Sequence, residues 1–133
     1  MAIRQILSPD DLAERKTEPG WYPGEISKVT EEVVKGSADK PSDGSMNAVF
    51  FFNVTDPAKP EQKAREYRRF FNEKALGFGR NLWYTTGLLV KGSKTPQELT
   101  FEMMKSTEGK KMMVYIKKNA AGYDNIEDFR PLT

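Results

Sequence analysis

Five stretches of the chain carry the apolar patterns that are typical of β-strands. The clearest is 46–54, where three consecutive phenylalanines lie between segments rich in turn-forming residues. The stretch 111–118 alternates strictly, with Met112, Val114 and Ile116 separated by other side chains. These patterns predict strands at 21–29, 46–54, 65–71, 111–118 and 123–130.

Helical patterns are short and lie outside these stretches. A serine cap, a proline and two acids predict a helix over 8–16. Asn72 can cap a second helix over 72–86, although Gly77 and Gly79 weaken it. The sequence Thr-Pro-Gln-Glu that starts at Thr95 is a capping box, and it predicts a third helix that ends near residue 105.

The order of these elements predicts the fold class. We expect a mainly β protein with helical insertions: a short N-terminal helical segment over 1–18, three strands, helices between strands 3 and 4, and two more strands. This is the element order of an OB-fold, a five-stranded Greek-key barrel, although other small barrels and α+β sheets share it. A length of 133 residues fits one domain over 1–133.

The composition limits the chemistry that the chain can perform. The sequence has no cysteine and no histidine, which removes disulfides, thiolate nucleophiles, the usual zinc ligands and the commonest general base. Asp124, Glu127 and Asp128 could hold magnesium, but a strand places Glu127 on the face opposite the other two. We therefore expect a binding protein, not an enzyme, with no cofactor and no metal. Without a signal peptide or a membrane-spanning apolar run, we expect it in the cytoplasm.

The positive charge is concentrated in two stretches. The formal net charge is only +2, but the segments 59–80 and 105–118 are each +4, and the remainder of the chain is −6. The predicted third and fourth strands are therefore basic. A basic strand is often only a solvated face, so charge alone does not identify a partner.

Aromatic residues interleave with the cations on both basic strands. The period of two gives each strand one mixed face, and the candidate binding residues are Arg65, Tyr67, Arg69 and Phe71 on the third strand and Lys111, Tyr115 and Lys117 on the fourth. Single-stranded nucleic acid is bound by this mixture, because cations follow the phosphates and rings stack on unpaired bases. Alternatively, Tyr67 or Phe71 belongs to the core and Phe70 points outward.

The second strand carries a related question. Phe50, Phe51 and Phe52 cannot all face the core, because successive side chains of a strand point to opposite sides. Phe51 therefore lies either under a helix or exposed on the outer face. The covered position is favoured, because a large exposed ring is costly.

Several segments resemble phage-encoded single-stranded DNA-binding proteins with an OB-fold. The stretch Pro19-Gly-Trp-Tyr-Pro-Gly-Glu-Ile26 is similar to their opening strand, and Tyr123-Asp-Asn-Ile-Glu-Asp-Phe-Arg-Pro131 to their last strand. The strand at Phe50, the strand at Arg65 and the helix with Trp83 fall where that family has its second strand, third strand and connecting helix. The likeness covers most of 19–131.

The resemblance implies a function and partners. It implies sequence-independent binding of single-stranded DNA, or RNA, that protects strands exposed in phage replication or recombination. Arg65, Tyr67, Arg69 and Phe71 would face the strand, together with Tyr115 and Lys117. Replication or recombination proteins are further candidate partners, and no membrane is implied. The alternative is a phage accessory or structural protein that uses the same small barrel for contacts with other proteins.

Overall fold

A computed structural model describes residues 2–7 and 18–133 of the chain. The helix predicted over 8–16 lies outside the described residues. The elements are β1 (Gly20–Val33), β2 (Met46–Val54), β3 (Arg65–Asn72), a 3-10 turn (Leu76–Gly79), α1 (Arg80–Thr86), α2 (Phe101–Lys105), β4 (Lys111–Lys118) and β5 (Asp124–Arg130). The prediction of a mainly β protein is confirmed. Within the described ranges, neither α-helix is long and apolar enough to cross a membrane.

The five strands form one antiparallel sheet in the order β3-β2-β1-β4-β5. The central strand, β1, pairs with β4 along its first half and with β2 along its second half, and Gly24 takes part in both ladders. The two edge strands approach each other, since Arg65 Nη1 on β3 lies 3.0 Å from Asp124 Oδ2 on β5. The sheet is therefore strongly curled, and it has an inner and an outer face.

A β-bulge at Ser27 decides which side chains of β1 point outward. The pairing of β1 with β2 skips this residue between Ile26 and Lys28. Without the extra residue, the period of two would point Lys28 to the same side as Ile26. With it, Ile26 and Val29 are both fully buried on the inner face and Lys28 is exposed on the outer face.

The core fills the inner face of the curled sheet. Phe50 and Phe52 of β2 are fully buried there, and the Trp83 indole of α1 closes one end. The ring centroids of Phe50 and Phe71 each lie within 5.6 Å of Trp83, in tilted arrangements that aromatic pairs favour. One helix side chain thereby joins the aromatic residues of two strands.

The helix predicted over 72–86 is shorter than its pattern indicates. Its first part is a turn that includes Gly77 and Gly79, and the α-helix begins only at Arg80. Gly79 is buried, and a Cβ at this position would lie 2.8 Å from atoms of both the Phe71 and the Trp83 rings. The glycine is thus required for close packing, since its φ of −94° is open to any residue.

The capping box predicted at Thr95 is wrong. Helix α2 begins at Phe101, and its cap is Thr100, whose hydroxyl oxygen accepts the Met103 N–H at 3.2 Å. Gln97 bonds instead to both backbone groups of Val90, at 2.8 and 2.9 Å, which holds the preceding segment as a loop. A tertiary contact therefore outweighs the local helix-start signal.

The turn after α2 supplies partners to β1 beyond the end of the β4 ladder. Glu108 accepts the Val29 N–H at 2.9 Å, and the Lys105 ammonium donates to the Val29 carbonyl at 3.1 Å. The backbone groups of Ile26 bond to Gly109 and Lys110. Two hydrogen bonds hold the pKa of Glu108 below its usual value. The hydrogen bond from the Val29 N–H has the larger effect, and the one from the Lys105 ammonium the smaller.

Candidate nucleic-acid interface

Of the two orientations considered for the third strand, the one that exposes Tyr67 and Phe71 is wrong, and the alternative with Phe70 outward is confirmed. Tyr67 and Phe71 are buried in the core, with only 8% and 3% of their surface exposed, and Phe70 points outward with 45% exposed. The reason is the register with β2: Tyr67 pairs with Phe52, whose ring belongs to the core. The inner face of β3 therefore carries the two rings that were expected to face a ligand.

Arg65 and Arg69 share that inner orientation and are only partly exposed. Arg65 is ion-paired with Asp124, whose side chain is 93% buried in the gap between β3 and β5. The Arg69 guanidinium lies 5.2 Å from the Phe71 centroid. Arg65 thus helps to close the sheet, and the structure brings neither cation to the outer face.

On β4, the predicted orientation is the one the structure has. Met112, Val114 and Ile116 are buried, whereas Lys111 and Lys117 are exposed and Tyr115 is half-buried on the outer face. The alternation of this strand is strict, so only one of its faces is apolar, and that face must point to the core. Three of the seven candidate residues therefore lie on the outer face: Lys111, Tyr115 and Lys117.

The most distinct feature of the outer face involves residues that the sequence did not single out as binding candidates. Lys28, Phe51 and Arg68 are direct neighbours across β1, β2 and β3. The Lys28 Nζ lies 4.3 Å from the Phe51 centroid, and the Arg68 guanidinium carbon lies 4.9 Å from it. We call these three residues the Phe51 row. Phe51 is covered, as expected, but two cations cover it and not a helix.

The Phe51 row continues into an exposed ring. Phe70 pairs with Val49 two positions along the β2–β3 ladder, and it lies two residues from Arg68 on the same face of β3. Arg68 has 61% of its side chain exposed, and its ion pair with Glu66 is long at 3.8 Å. The face thus presents an exposed cation beside two phenylalanine rings. The period-two pattern contained Phe70, but only the register with β2 shows that it is outward.

A second cation–aromatic group lies on the other half of β1. The rings of Trp21 and Tyr115 are paired across the β1–β4 ladder, edge to face, with centroids 5.3 Å apart. The Arg130 guanidinium carbon of β5 lies 4.3 Å from the Trp21 centroid. We call these three residues the Trp21 cluster. Sequence reasoning identified Tyr115 but missed the other two, which the pairing of three strands brings together.

One row of side chains lies between the two groups. It crosses four strands on the outer face and consists of Glu66, Asn53, Glu25 and Lys111. A cleft of about 420 Å³ opens beside it, lined in part by Pro23, Thr55 and Leu132. The row carries two carboxylates and one ammonium group, so the positive charge of the outer face is concentrated at its two ends.

No protein-family model matches the chain, and no curated protein matches it. Among residues 2–7 and 18–133, no group of three or more histidine, cysteine, aspartate or glutamate side chains could hold a metal ion. A function for this protein must therefore be inferred from the geometry of the outer face.

Proposed function

We propose that the outer face of the sheet binds single-stranded nucleic acid without sequence preference, on an OB-fold-like Greek-key barrel. The observation that carries this proposal is the Phe51 row, in which two cations flank one ring on an open sheet surface. Two features of the sheet support the barrel. β1 pairs with β2 and β4 in turn, and the edge strands meet through Arg65 and Asp124.

The chemistry of the row suits an unpaired strand. Each phosphate carries a negative charge that Lys28 or Arg68 can neutralise, with release of condensed counterions. Each base has a flat face that can stack on a ring for about 1–3 kcal/mol, whatever its identity. In a duplex, the bases are already stacked and paired, so the rings would have no free partner. These contacts therefore favour single strands and tolerate any sequence.

The cations and the bases compete for the same ring. Lys28 and Arg68 cover Phe51 in the structure, and only 9% of its surface is exposed. When a strand approaches, each cation gains a phosphate and releases the ring to a base. Phe70 needs no such exchange, because it is already 45% exposed. Binding should therefore begin at Phe70 and extend to Phe51.

In the phage setting that the resemblance implies, such a protein would coat strands exposed during replication or recombination. The primary test is a titration with fluorescent oligo-dT, followed by anisotropy at several salt concentrations. We expect binding at low salt that weakens linearly on a log–log plot. No binding at low salt would contradict the proposal. So would binding that is insensitive to salt.

A matched pair of ring variants localises the binding. Phe70→Ala removes an exposed ring from the outer face, and Phe78→Ala removes a ring that is 84% exposed in the 3-10 turn, outside the strands. We expect the first variant to weaken oligo-dT binding by about fivefold or more, as the loss of one stacked base predicts. We expect the second to bind like the wild type. Equal affinities for both variants would place the interface elsewhere.

A further inference from the structure

The Trp21 cluster repeats the chemistry of the Phe51 row at a second place on the outer face. Trp21 is half-buried with its ring under Arg130, and Tyr115 stands against its edge. Lys117 lies two residues beyond Tyr115 on the same side of β4 and is exposed. The cluster thus offers the same components: a ring that a base could stack on, and cations that could take phosphates.

We infer that the Trp21 cluster is a second stacking site for the same nucleic-acid strand. The nucleic acid is then held at the Phe51 row and at the Trp21 cluster, and it crosses β1 between them. This inference rests on the proposed function. The two groups share one face, because Trp21 and Lys28 both point outward from β1 on either side of the bulge at Ser27.

The spacing sets the length of strand that can use both sites. Seven residues separate Trp21 and Lys28, which corresponds to at most about 23 Å at about 3.3 Å per residue. A single strand with stacked bases advances about 3.4 Å per nucleotide. A strand of about seven stacked nucleotides, or fewer when extended, therefore reaches from one group to the other. A trinucleotide can occupy only one.

The row between the two sites influences where the strand is held. Glu25 and Glu66 repel phosphates, and Lys111 attracts them from its position opposite Glu25. The strand is consequently bound at its two ends and only loosely in between. Two linked weak sites gain affinity from effective concentration, so a long oligonucleotide should bind much more tightly than a short one.

The two tryptophans of the chain make this inference directly measurable. Trp83 is 1% exposed, with its Nε1–H donated to the Leu76 carbonyl at 2.7 Å, so a surface ligand cannot reach it. Quenching of tryptophan emission by oligo-dT therefore reports Trp21 alone. Trp21→Phe keeps a ring for stacking and removes the signal, which makes it the matched control.

We expect a dT oligomer of about twelve nucleotides to quench the emission of the wild type and to leave that of Trp21→Phe unchanged. By anisotropy, Trp21→Ala should bind this oligomer about five- to 150-fold more weakly, whereas Trp21→Phe stays within a few-fold of the wild type. Arg130→Gln, which keeps the ring, should weaken binding and reduce its salt dependence.

The outcomes separate this inference from the function on which it rests. If the twelve-nucleotide strand binds by anisotropy while the emission and the Trp21→Ala affinity stay unchanged, the second site is refuted and the Phe51 row remains. If the strand does not bind at all, the proposed function itself is refuted. A circular dichroism spectrum tests whether Trp21→Ala is folded. If this variant does not fold, the emission of Trp21→Phe and the affinity of Arg130→Gln for the oligomer decide whether the second site exists.

Discussion

The Lys28 ammonium lies 4.3 Å from the centroid of the Phe51 ring, directly across the β1–β2 ladder. This contact exists because the bulge at Ser27 turns Lys28 away from the core, and the Ser27 hydroxyl donates to the Phe51 carbonyl at 3.2 Å. A cation above a ring is stabilising by about 0.5–1 kcal/mol at an exposed site. The contact is weak enough for a phosphate and a base to replace it.

The charge of Arg68 should contribute one phosphate contact, which the salt dependence of binding can measure. Arg68→Ala should weaken oligo-dT binding and lower the slope of log affinity against log salt by about 0.7, the value for one phosphate contact on a single strand. The control is Lys91→Ala, which removes the same charge from an exposed loop. An unchanged slope for Arg68→Ala would falsify its contact with phosphate.

Two adjacent phenylalanines should have opposite consequences. Phe71→Ala should lower the free energy of unfolding by about 3–5 kcal/mol, because it leaves a cavity against Phe50 and Trp83. Phe70→Ala should leave stability nearly unchanged, because nearly half of the residue is exposed and its ring lies outside the core. Urea unfolding of both variants measures the difference. A similar loss in both would contradict the orientation of β3.

Because Gly79 is closely packed, the addition of a single methyl group at this position should lower the free energy of unfolding. Gly79→Ala places a methyl group 2.8 Å from the Phe71 and Trp83 rings, and overpacking of this kind costs about 1–3 kcal/mol. Gly77→Ala is the matched control, since a Cβ there meets nothing within 4 Å. Thermal unfolding should show a lower midpoint for the first variant only. The packing argument is wrong if the two midpoints agree.

Glu108 should make stability depend on pH in the acid range. Its carboxylate is held by the Val29 N–H and by Lys105, so its pKa in the folded state lies below the ordinary value of 4.5. A lowered pKa stabilises the fold above pH 4.5, and this contribution is lost as the pH falls through the folded-state value. The difference in urea midpoint between the wild type and Glu108→Gln should therefore shrink from pH 7 to pH 3.

The control for Glu108 is Glu98→Gln, an exposed glutamate in the loop before α2. We expect this variant to follow the wild type at every pH. A constant difference between the wild type and Glu108→Gln across the range would show that the ionised form of Glu108 does not stabilise the fold.

Glu25 lies between the two cationic ends of the outer face, and its removal should strengthen binding. Glu25→Gln should raise the affinity for a twelve-nucleotide dT oligomer about threefold at low salt, since a unit charge pair about 6 Å apart in water is worth about 0.7 kcal/mol. A trinucleotide should bind Glu25→Gln and the wild type alike. Tightening of both oligomers to the same degree would indicate a general charge effect, without a strand crossing the row.

The strands could be predicted from the sequence because their patterns are strongly periodic. The bounds of β2 and β4 agree with the predictions, and those of β3 and β5 differ by one residue. The direction of β3 could not be predicted in the same way. Its aromatic residues lie on both faces, at Tyr67, Phe70 and Phe71, so only the pairing with Phe52 determines which rings enter the core.

The candidate site was harder to predict than the fold. The Phe51 row depends on the bulge at Ser27, and the nearest glycine, Gly24, lies three residues before that position. The Trp21 cluster joins residues that are far apart in the chain, from β1, β4 and β5. Both groups arise from register, which a single sequence specifies only through long-range pairing.

The hydrogen bonds from the α2 turn to Val29 and Ile26 also affect how copies of the protein can meet. Unsatisfied backbone groups along a strand are a template on which a foreign strand can grow, and natural proteins cover them for this reason. Here the groups of both residues are occupied by Lys105, Glu108, Gly109 and Lys110. At this part of its longest strand, the protein is thereby protected from pairing edge to edge with a second copy of itself.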